Sequence, residues 1–288
     1  MGFSKLSEII TYGETHQIPF WQIVLEDDCR ERNVSKEESM AAMEELLVAM
    51  EHADAGYDKN LRSASGMAGG DGEKLALFRQ KEDCLVGPFL LQVMEKAVKM
   101  GESNACMRRI VAMPTAGSCG VIPAVLLTYK EQKHVERQKL LEAFYVAGGI
   151  GEVLAASASI SGAEGGCQAE IGSACAMAAG ALSYLEGGDG ECICHAAALA
   201  LKNMLGLVCD PVAGLVEVPC IKRNVFGAVS AVTASQLAAA GIRSAIPPDE
   251  VIDSMRRIGK QLPGCLKETS MDGLAITPTA QEIAAKLQ

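Results

Sequence analysis

The chain has 288 residues, of which 49% are hydrophobic and only 4% aromatic, and its formal net charge is -10. The charge argues against nucleic acid and anionic membrane surfaces as partners. A core with so few aromatic rings draws on aliphatic and sulfur-containing side chains, which favours close-packed helices over sheets. We therefore predict a mainly α-helical, bundle-like fold. It should form a single domain over residues 1–288, with an N-terminal helical segment (1–55) and a core (56–288).

Neither the N-terminus nor the apolar runs of the chain indicate export or insertion into a membrane. The first residues lead into a polar helical pattern, without the apolar stretch of a signal peptide. The longest run without charges, residues 224–242, is too weakly apolar for a membrane helix and predicts a helix buried on all sides. We therefore expect a cytoplasmic protein.

The first third of the chain predicts several helices and one loop rich in glycine. Residues 1–55 have the pattern of two amphipathic helices, and Ser35 with Glu38 forms a capping box at the start of one of them. The loop covers residues 62–72 and leads into a helix from about residue 73. Another helix is predicted from Pro88 to Met100, with Gly101 ending it.

The middle of the chain, residues 113–236, is dense in Gly, Ala and Ser, and its charges are sparse. Small residues let helix backbones approach one another closely and let loops run into the interior. This composition predicts Gly- and Ala-rich buried helices with inward loops around a buried site. Beyond it, Pro247 and Pro248 predict the start of a helix that runs to about Gln261, and residues 279–288 a short terminal helix.

A first candidate site precedes the apolar run 121–129, in the sequence Met-Pro-Thr-Ala-Gly-Ser-Cys-Gly (113–120). The first N–H groups of a helix have no partners within the helix, so such a start can bind an anion. Ordinary helix capping is the alternative, since Ser and Thr commonly have that role. The Gly-rich stretch 63–70 is a second candidate, either as a nest of N–H groups for an anion or as a plain surface turn.

Eleven cysteines in a chain without an export signal predict reduced thiols or metal ligands. Cys167, Cys209 and Cys220 lie beside glycine or proline, where irregular backbone is expected. Three thiolates could hold three irons of a [4Fe–4S] cluster and leave the fourth iron open. Buried cysteines that only fill the core are the alternative. His195 is predicted to be a core histidine with satisfied hydrogen bonds rather than a catalytic base.

Three segments together resemble the α subunit of the bacterial iron–sulfur L-serine dehydratases. They are Met-Pro-Thr-Ala-Gly-Ser-Cys-Gly (113–120), Glu-Gly-Gly-Cys-Gln-Ala-Glu (164–170) and the long motif from Cys209 to Asn224. Ser-Gly-Met-Ala-Gly-Gly (65–70) and Lys-Glu-Thr-Ser-Met (267–271) are also similar to motifs of that family. The similarity covers residues 60–280, and the long cysteine motif is highly specific.

The resemblance implies a largely helical catalytic subunit with a [4Fe–4S] cluster on Cys167, Cys209 and Cys220. It also implies that two loops and the 267–271 motif surround the substrate, L-serine. The residues expected to bind substrate are Ser65, Gly66, Met67, Gly69, Gly70, Thr115, Ala116, Gly117, Ser118, Lys267 and Thr269.

The chain departs from the family pattern in two places. Some single-chain relatives end in a cysteine that can occupy the fourth iron position, whereas this chain ends Ala-Ala-Lys-Leu-Gln (284–288). The family's Ser-Ser-His-Thr motif, which supplies a catalytic histidine in the β domain, is also absent. The resemblance therefore implies a separate β subunit that provides this histidine.

The implied reaction converts L-serine to pyruvate and ammonia. An open iron would act as a Lewis acid on the serine hydroxyl while a base removes the Cα proton. A related lyase, such as a cysteine desulfidase or a hydroxy-acid dehydratase, would have the same cysteine motif. A pyridoxal-phosphate enzyme is disfavoured because no lysine is convincingly placed for a Schiff base. A non-enzymatic iron–sulfur sensor is a third alternative, although the chain has no recognisable nucleic-acid-binding motif.

Overall fold

A computed structural model describes residues 2–81 and 84–287 and contains thirteen α-helices, with no β-strand in these two ranges. The mainly α-helical prediction is therefore confirmed. The helices of the first half are α1 (Leu6–His16), α2 (Phe20–Arg32), α3 (Lys36–Ala55), α4 (Asp71–Phe78), α5 (Pro88–Ala105), α6 (Val121–Lys133) and α7 (Arg137–Ser157). Those of the second half are α8 (Gly162–Gly165), α9 (Ser173–Leu185), α10 (Gly190–Lys202), α11 (Cys220–Ala239), α12 (Pro248–Gln261) and α13 (Pro278–Leu287).

Helix α9 lies at the centre of the fold, in contact with α6, α7, α10 and α11. Every residue from Ser173 to Tyr184 is buried, and most are Ala, Ser, Cys or Gly. Small side chains let the neighbouring backbones come close. An ideal Cβ built at Gly180 would collide with Ile150 Cδ1 on α7, and one built at Gly151 would lie 2.7 Å from Met177 Cε on α9. Glycine at these positions therefore permits this close packing without displacing the Ile150 and Met177 side chains, as the dense Gly and Ala composition predicts.

The N-terminal segment contains three helices, so the prediction of two amphipathic helices over residues 1–55 is wrong. Helix α1 ends at Gln17 and α2 ends at Asn33, and both residues adopt a left-handed backbone conformation. Neither residue is glycine, so the first break is easily missed in the sequence. The predicted capping box is confirmed at α3, where the Ser35 hydroxyl accepts from Glu38 N–H and the Glu38 carboxylate accepts from Ser35 N–H.

Helix α5 runs to Ala105, so Gly101 does not end it as predicted. Gly101 lies instead in the contact between α5 and α11, where a Cβ would be 3.1 Å from Ile221 Cγ2. The glycine permits close packing rather than terminating the helix. Helix α12 begins and ends as predicted, and α13 matches the predicted terminal helix except for Gln288, which lies outside the described residues.

Two helices bear on the question of membrane insertion. Helix α11 covers most of the charge-free run, but Phe226 is 71% exposed and Leu237 is also exposed, so this helix is not buried on all sides as predicted. Helix α7 is long and apolar enough to cross a membrane by composition, yet 67% of its most apolar window is buried in the fold. Burial of this kind is typical of a core helix.

Candidate functional site

The three candidate cysteines lie in three different segments that meet beside α11. Cys167 stands between α8 and a π-helical turn, Gln168–Gly172. Cys209 lies in an extended segment that forms an isolated parallel bridge with Lys267. Cys220 is the first residue of α11. All three thiols are buried. The irregular backbone predicted around Cys167 and Cys209 is confirmed, whereas Cys220 itself is helical and only the residues before it are irregular.

Hydrogen bonds hold the Cys167 segment against the Cys209 segment. Gln168 N–H donates to the Leu207 carbonyl at 3.0 Å, and the fully buried Gln168 side chain accepts from Gly206 N–H at 2.9 Å. Gly166, just before Cys167, has φ +75°, and a Cβ there would lie 2.9 Å from the Leu207 carbonyl oxygen. Glycine at this position therefore allows both the left-handed backbone and the close contact between the two segments.

The pKa of each thiol is raised, chiefly because burial disfavours the thiolate. The pKa of Cys167 is raised to about 11 and that of Cys220 to about 12, and the pKa of Cys209 is raised further. Charge repulsion from Cys167 also raises the pKa of Cys209 and of Cys220, so the sulfurs lie close enough to interact. A bound cation would reverse this preference, because a metal stabilises the thiolate that binds it.

The spacing of the sulfurs differs from that of a mononuclear metal site. Among the described residues, the three sulfurs are not all within 4.8 Å of one another, as ligands of one ion would be. An iron–sulfur cluster binds each thiolate to a different iron and therefore needs wider spacing. Within residues 2–81 and 84–287, the one group of potential ligands that does lie within 4.8 Å is Asp27, Glu31 and Glu152, which belongs to α2 and α7 and not to this site.

Arg223 holds the cysteine motif together from within α11. Its guanidinium donates to the Val208 carbonyl at 2.8 Å and to Asp210 Oδ1 at 2.9 Å. Its charge also interacts with Cys167. Burial opposes the charge, but Cys167 and Asp210 outweigh burial and raise the pKa of Arg223. Its positive charge lies beside the sulfur of Cys167, where it lowers the cost of forming a thiolate.

Asn224, one residue further along α11, joins the cysteine motif to the Thr115–Ser118 segment. Its buried amide donates to the Gly117 carbonyl at 2.7 Å and to the Cys220 carbonyl at 2.9 Å, while its oxygen accepts from Gly120 N–H at 2.8 Å. A single side chain thus fixes the loop relative to Cys220. Both the nitrogen and the oxygen of the buried Asn224 amide thus have hydrogen-bond partners, as a buried amide requires.

The loop at residues 115–118 forms a turn of 3₁₀-helix, Ala116–Ser118, and helix α6 begins at Val121. The Thr115 and Ser118 hydroxyls are 3.1 Å apart and close the turn. Among the described residues, no hydrogen-bond acceptor within the chain receives the N–H of Ala116 or Gly117. Two backbone donors are therefore available to an anion, and capping accounts only for the hydroxyls.

Glu170, from the π-helical turn, and Glu268 approach the same space beside Cys209. A Cβ built at Gly162 would lie 2.9 Å from Glu170 Oε2, 3.2 Å from Glu268 Oε2 and 3.3 Å from Cys209 Sγ. Burial raises the pKa of Glu170, a hydrogen bond from Thr115 lowers it, and the charge of Glu268 raises it again. The lack of a side chain at Gly162 therefore lets the two carboxylates and the thiol approach this helix closely.

The Gly-rich loop around residues 65–70 lies against the cysteine motif through buried Glu217. The hydroxyls of Ser63 and Ser65 donate to Glu217 Oε2 at 2.8 and 2.6 Å. The N–H groups of Gly69, Asp71 and Gly72 donate to the buried carboxylate of Glu102. These three donors bind an anion, as a nest of N–H groups does, but that anion belongs to the chain itself.

The 267–271 motif contacts the cysteine motif mainly through its backbone. Glu268 N–H donates to the Cys209 carbonyl at 2.9 Å, and Ser270 Oγ donates to the Pro211 carbonyl at 2.7 Å. The Thr269 hydroxyl donates to the Cys265 carbonyl. Lys267 lines a cavity together with Glu164, Gln168 and α12 residues, and none of the three cysteines lines it.

The predicted core role of His195 agrees with its contacts. Its Nδ1 accepts from Ser244 N–H at 3.1 Å, and its Nε2 lies 3.3 Å from Glu191 Oε2 one helical turn away. None of the four histidines, all within the described residues, hydrogen-bonds to the three cysteines or to the 115–118 turn.

The residues that sequence reasoning missed are the ones that connect the segments: Arg223, Asn224, Glu170 and Glu217. The sequence did offer one signal for them, because they are charged or amide side chains in a stretch that has few charges.

Comparison with known proteins identifies the family. The family described as serine dehydratase alpha chain matches residues 15–275. The chain is 45% identical over 285 residues to a probable L-serine dehydratase alpha chain of Bacillus subtilis (strain 168), covering 99% of this chain and 95% of the relative. It is 39% identical to the L-serine dehydratase alpha chain of Peptoniphilus asaccharolyticus, covering 96% and 95%. L-serine dehydratase TdcG of Escherichia coli (strain K12) is 47% identical over 184 residues, which are 62% of this chain and 40% of that protein. The chain therefore belongs to the serine dehydratase alpha chain family.

Proposed function

We propose that this chain is the catalytic α subunit of an iron–sulfur-dependent lyase that converts L-serine to pyruvate and ammonia. The observation that carries the proposal is the meeting of Cys167, Cys209 and Cys220 beside the Thr115–Ser118 turn, in a chain whose relatives are named L-serine dehydratases. The resemblance supports the reaction, and the geometry supports a common site for the three thiols.

The residues present fit a [4Fe–4S] cluster held by Cys167, Cys209 and Cys220. The donor set is three thiols that interact electrostatically, and among the described residues they are not all within 4.8 Å of one another as ligands of one ion would be. The cluster, when bound, would supply an open iron that acts as a Lewis acid toward the substrate hydroxyl. Arg223 would stabilise the thiolate of Cys167, and Asp210 would keep the guanidinium in place.

The chain's own residues bind and orient the substrate in this proposal. The N–H groups of Ala116 and Gly117 would donate to the serine carboxylate, and Asn224 holds this turn at a fixed position relative to Cys220. The Ser65–Gly70 loop, bonded to Glu217 between Cys209 and Cys220, would border the site, and the 267–271 segment would border it through the backbone of Glu268 rather than through the Lys267 and Thr269 side chains. Fixing the carboxylate in this way would orient the Cα–H bond of the substrate toward the base.

A histidine from a separate β subunit is the proposed base. The reaction needs a group that titrates near neutral pH, and none of this chain's histidines hydrogen-bonds to the site. A β subunit over the site would also shield an open cluster from solvent and oxidants. We further propose a cytoplasmic location, which agrees with the eleven free cysteines, because thiols stay reduced in that compartment.

The experiment compares the anaerobically purified chain, alone and with the β chain of the same organism, using L-serine, L-threonine and L-cysteine as substrates. We expect little pyruvate from the chain alone and an increase of orders of magnitude with the β chain, highest for L-serine. Full activity of the chain alone would refute the proposal that a β subunit supplies the base. His195 would then be the first residue to substitute. Turnover of L-cysteine only would identify a desulfidase instead.

A further inference from the structure

A cavity of about 430 Å³ lies between the end of α7, α8, α12 and the start of the 267–271 motif. None of the three candidate cysteines lines it, so it is separate from the site described above. Ala158, Ala169 and Met255 form an apolar part of its wall. Cavities of this size with a mixed apolar and polar lining bind small organic molecules.

The charged side chains at this cavity are mostly cationic. Arg256 and Lys260 are one turn apart on α12, and Lys267 comes from a separate segment. Glu164 is the one carboxylate that lines the cavity among the described residues, and it accepts from the Ser159 hydroxyl at 2.8 Å. Three cations against one carboxylate leave an excess of two positive charges, in a chain whose formal net charge is -10.

The positive charge is not neutralised within the chain. Lys260 and Lys267 have no ion pair and no side-chain hydrogen bond with the residues that the structure describes. Arg256 does pair with Asp253, but that carboxylate is shared with Arg257. A cleft lined by charges of one sign attracts ions of the opposite sign, so the excess is available to a bound anion.

The wall of the cavity includes residues that hold two of the cysteine segments in place. Gln168, next to Cys167, is fully buried, and its amide nitrogen donates to the Met255 carbonyl on α12 at 3.1 Å. Lys267 is bridged through its backbone to Cys209. A ligand that contacts both α12 and Lys267 would therefore brace the segments of Cys167 and Cys209 against one another.

We propose that this cavity binds a small organic dianion, with two acidic groups on a short carbon chain. Lys260 and Lys267 approach the ligand from two segments, so each contacts one acidic group, and the apolar wall contacts the carbon chain. The two charges of the ligand match the two positive charges in excess. This second ligand site goes beyond the proposed function, because its occupancy requires neither the cluster nor turnover of L-serine.

Calorimetric titration of the anaerobically purified chain with succinate and with glycerol 3-phosphate tests the site. Acetate is the comparison, because it has the acidic group of succinate but only one charge. At least one dianion should bind with a Kd below about 1 mM, and acetate about tenfold or more weakly. The tighter of the two dianions identifies the acidic group that the site prefers. Lys267→Gln should weaken that binding about tenfold, and Lys260→Gln by a smaller factor because Lys260 is exposed.

Lys202→Gln is the matched control. Lys202, on α10, is half-buried like Lys267 but does not line the cavity. This variant should bind the dianion as the wild type does. Unchanged binding in both Lys260→Gln and Lys267→Gln would place the anion elsewhere and overturn the inference. Absence of binding by both dianions, or acetate binding as tightly as succinate, would overturn it as well.

Hydrogen–deuterium exchange tests the bracing of the cysteine segments. The N–H groups of Gln168 and Cys209 donate to the carbonyls of Leu207 and Leu266. The bound dianion should slow the exchange of both N–H groups severalfold, because it restrains the opening of these segments. Unchanged exchange at a saturating concentration would contradict the bracing. Absence of pyruvate formation would count against the proposed function and leave both of these measurements unaffected.

Discussion

Two regions of this molecule contain buried cysteines, and they differ in what surrounds the sulfur. Cys175, at 0% exposure, lies in the middle of α9, where every neighbour in the helix is buried and the pKa of the thiol is raised by burial alone. Cys209, at 3% exposure, lies in an extended segment between a π-helical turn and a strained loop. Its pKa is raised by burial and then by Cys167, Glu170, Cys220 and Glu268.

The comparison shows that burial alone does not separate a structural cysteine from a ligand. Both thiols are inaccessible, but only Cys209 is surrounded by groups whose charges conflict in the absence of a cation. The α9 region is stabilised by close packing, because its small residues let four helices approach it. The Cys209 region is held in a defined shape by hydrogen bonds in which Gln168, Arg223 and Asn224 donate to backbone carbonyls.

Substitution of the cysteines should have the largest effects, and these effects should differ between the two regions. Cys167→Ser, Cys209→Ser and Cys220→Ser should each abolish both cluster absorbance and pyruvate formation, because each removes a thiolate ligand. Cys29→Ser, Cys84→Ser and Cys106→Ser should retain most activity. Cys175→Ala should lower stability but keep the iron. Full iron content in the three ligand variants would show that the assignment is wrong.

Gly117→Val tests the turn that we expect to bind the substrate carboxylate. A side chain there meets the Glu170 carboxylate at 3.1 Å and crowds the free N–H groups, so KM for L-serine should rise by about tenfold or more. The absorbance of the cluster should be preserved, and Gly117→Ala should have a smaller effect. Normal steady-state kinetics in both variants would show that the turn caps a helix and does not bind the substrate.

Packing in the other region can be tested on one helix. Gly151→Ala on α7 places a methyl group 2.7 Å from Met177 Cε, and overpacking of this kind should lower the free energy of unfolding by about 1–3 kcal/mol. Gly148→Ala is the control, because nothing lies within 4 Å of its Cβ, and it should raise that free energy by about 0.5–1 kcal/mol. Denaturant unfolding of both variants measures the difference. Equal destabilisation would contradict close packing of α7 against α9.

The smallest expected effect concerns Glu152, outside both regions. Burial, then Glu31 and Asp27, raise the pKa of Glu152 to about 7 from an ordinary value of 4.5. The folded state therefore favours the protonated acid, and stability falls as pH rises from about 4.5 through 7, where the unfolded chain ionises first. Glu152→Gln should raise the melting temperature at pH 8 more than at pH 5. An equal change at both pH values would contradict the raised pKa.

The sequence predicted features that depend on neighbouring residues and missed those that depend on tertiary contacts. The Ser35 capping box and the start of α12 at Pro248 are local, and both were predicted. The charge-free run of α11 indicated burial, yet Phe226 is exposed, because absence of charge does not specify which face is covered. The cysteine motif stood out by its glycines and prolines. The contacts of Asn224 with Gly117 and of Glu170 with Gly162 join residues distant in sequence, so no local pattern indicates them.

The most direct test of the account is the iron and acid-labile sulfide content of the chain purified without oxygen. We predict about four of each per chain, lost together with activity on exposure to air and restored by iron with a reductant. Activity measured with the β chain should follow the iron content through both steps. A chain that makes pyruvate from L-serine at full rate without iron would contradict the assignment of Cys167, Cys209 and Cys220 as cluster ligands.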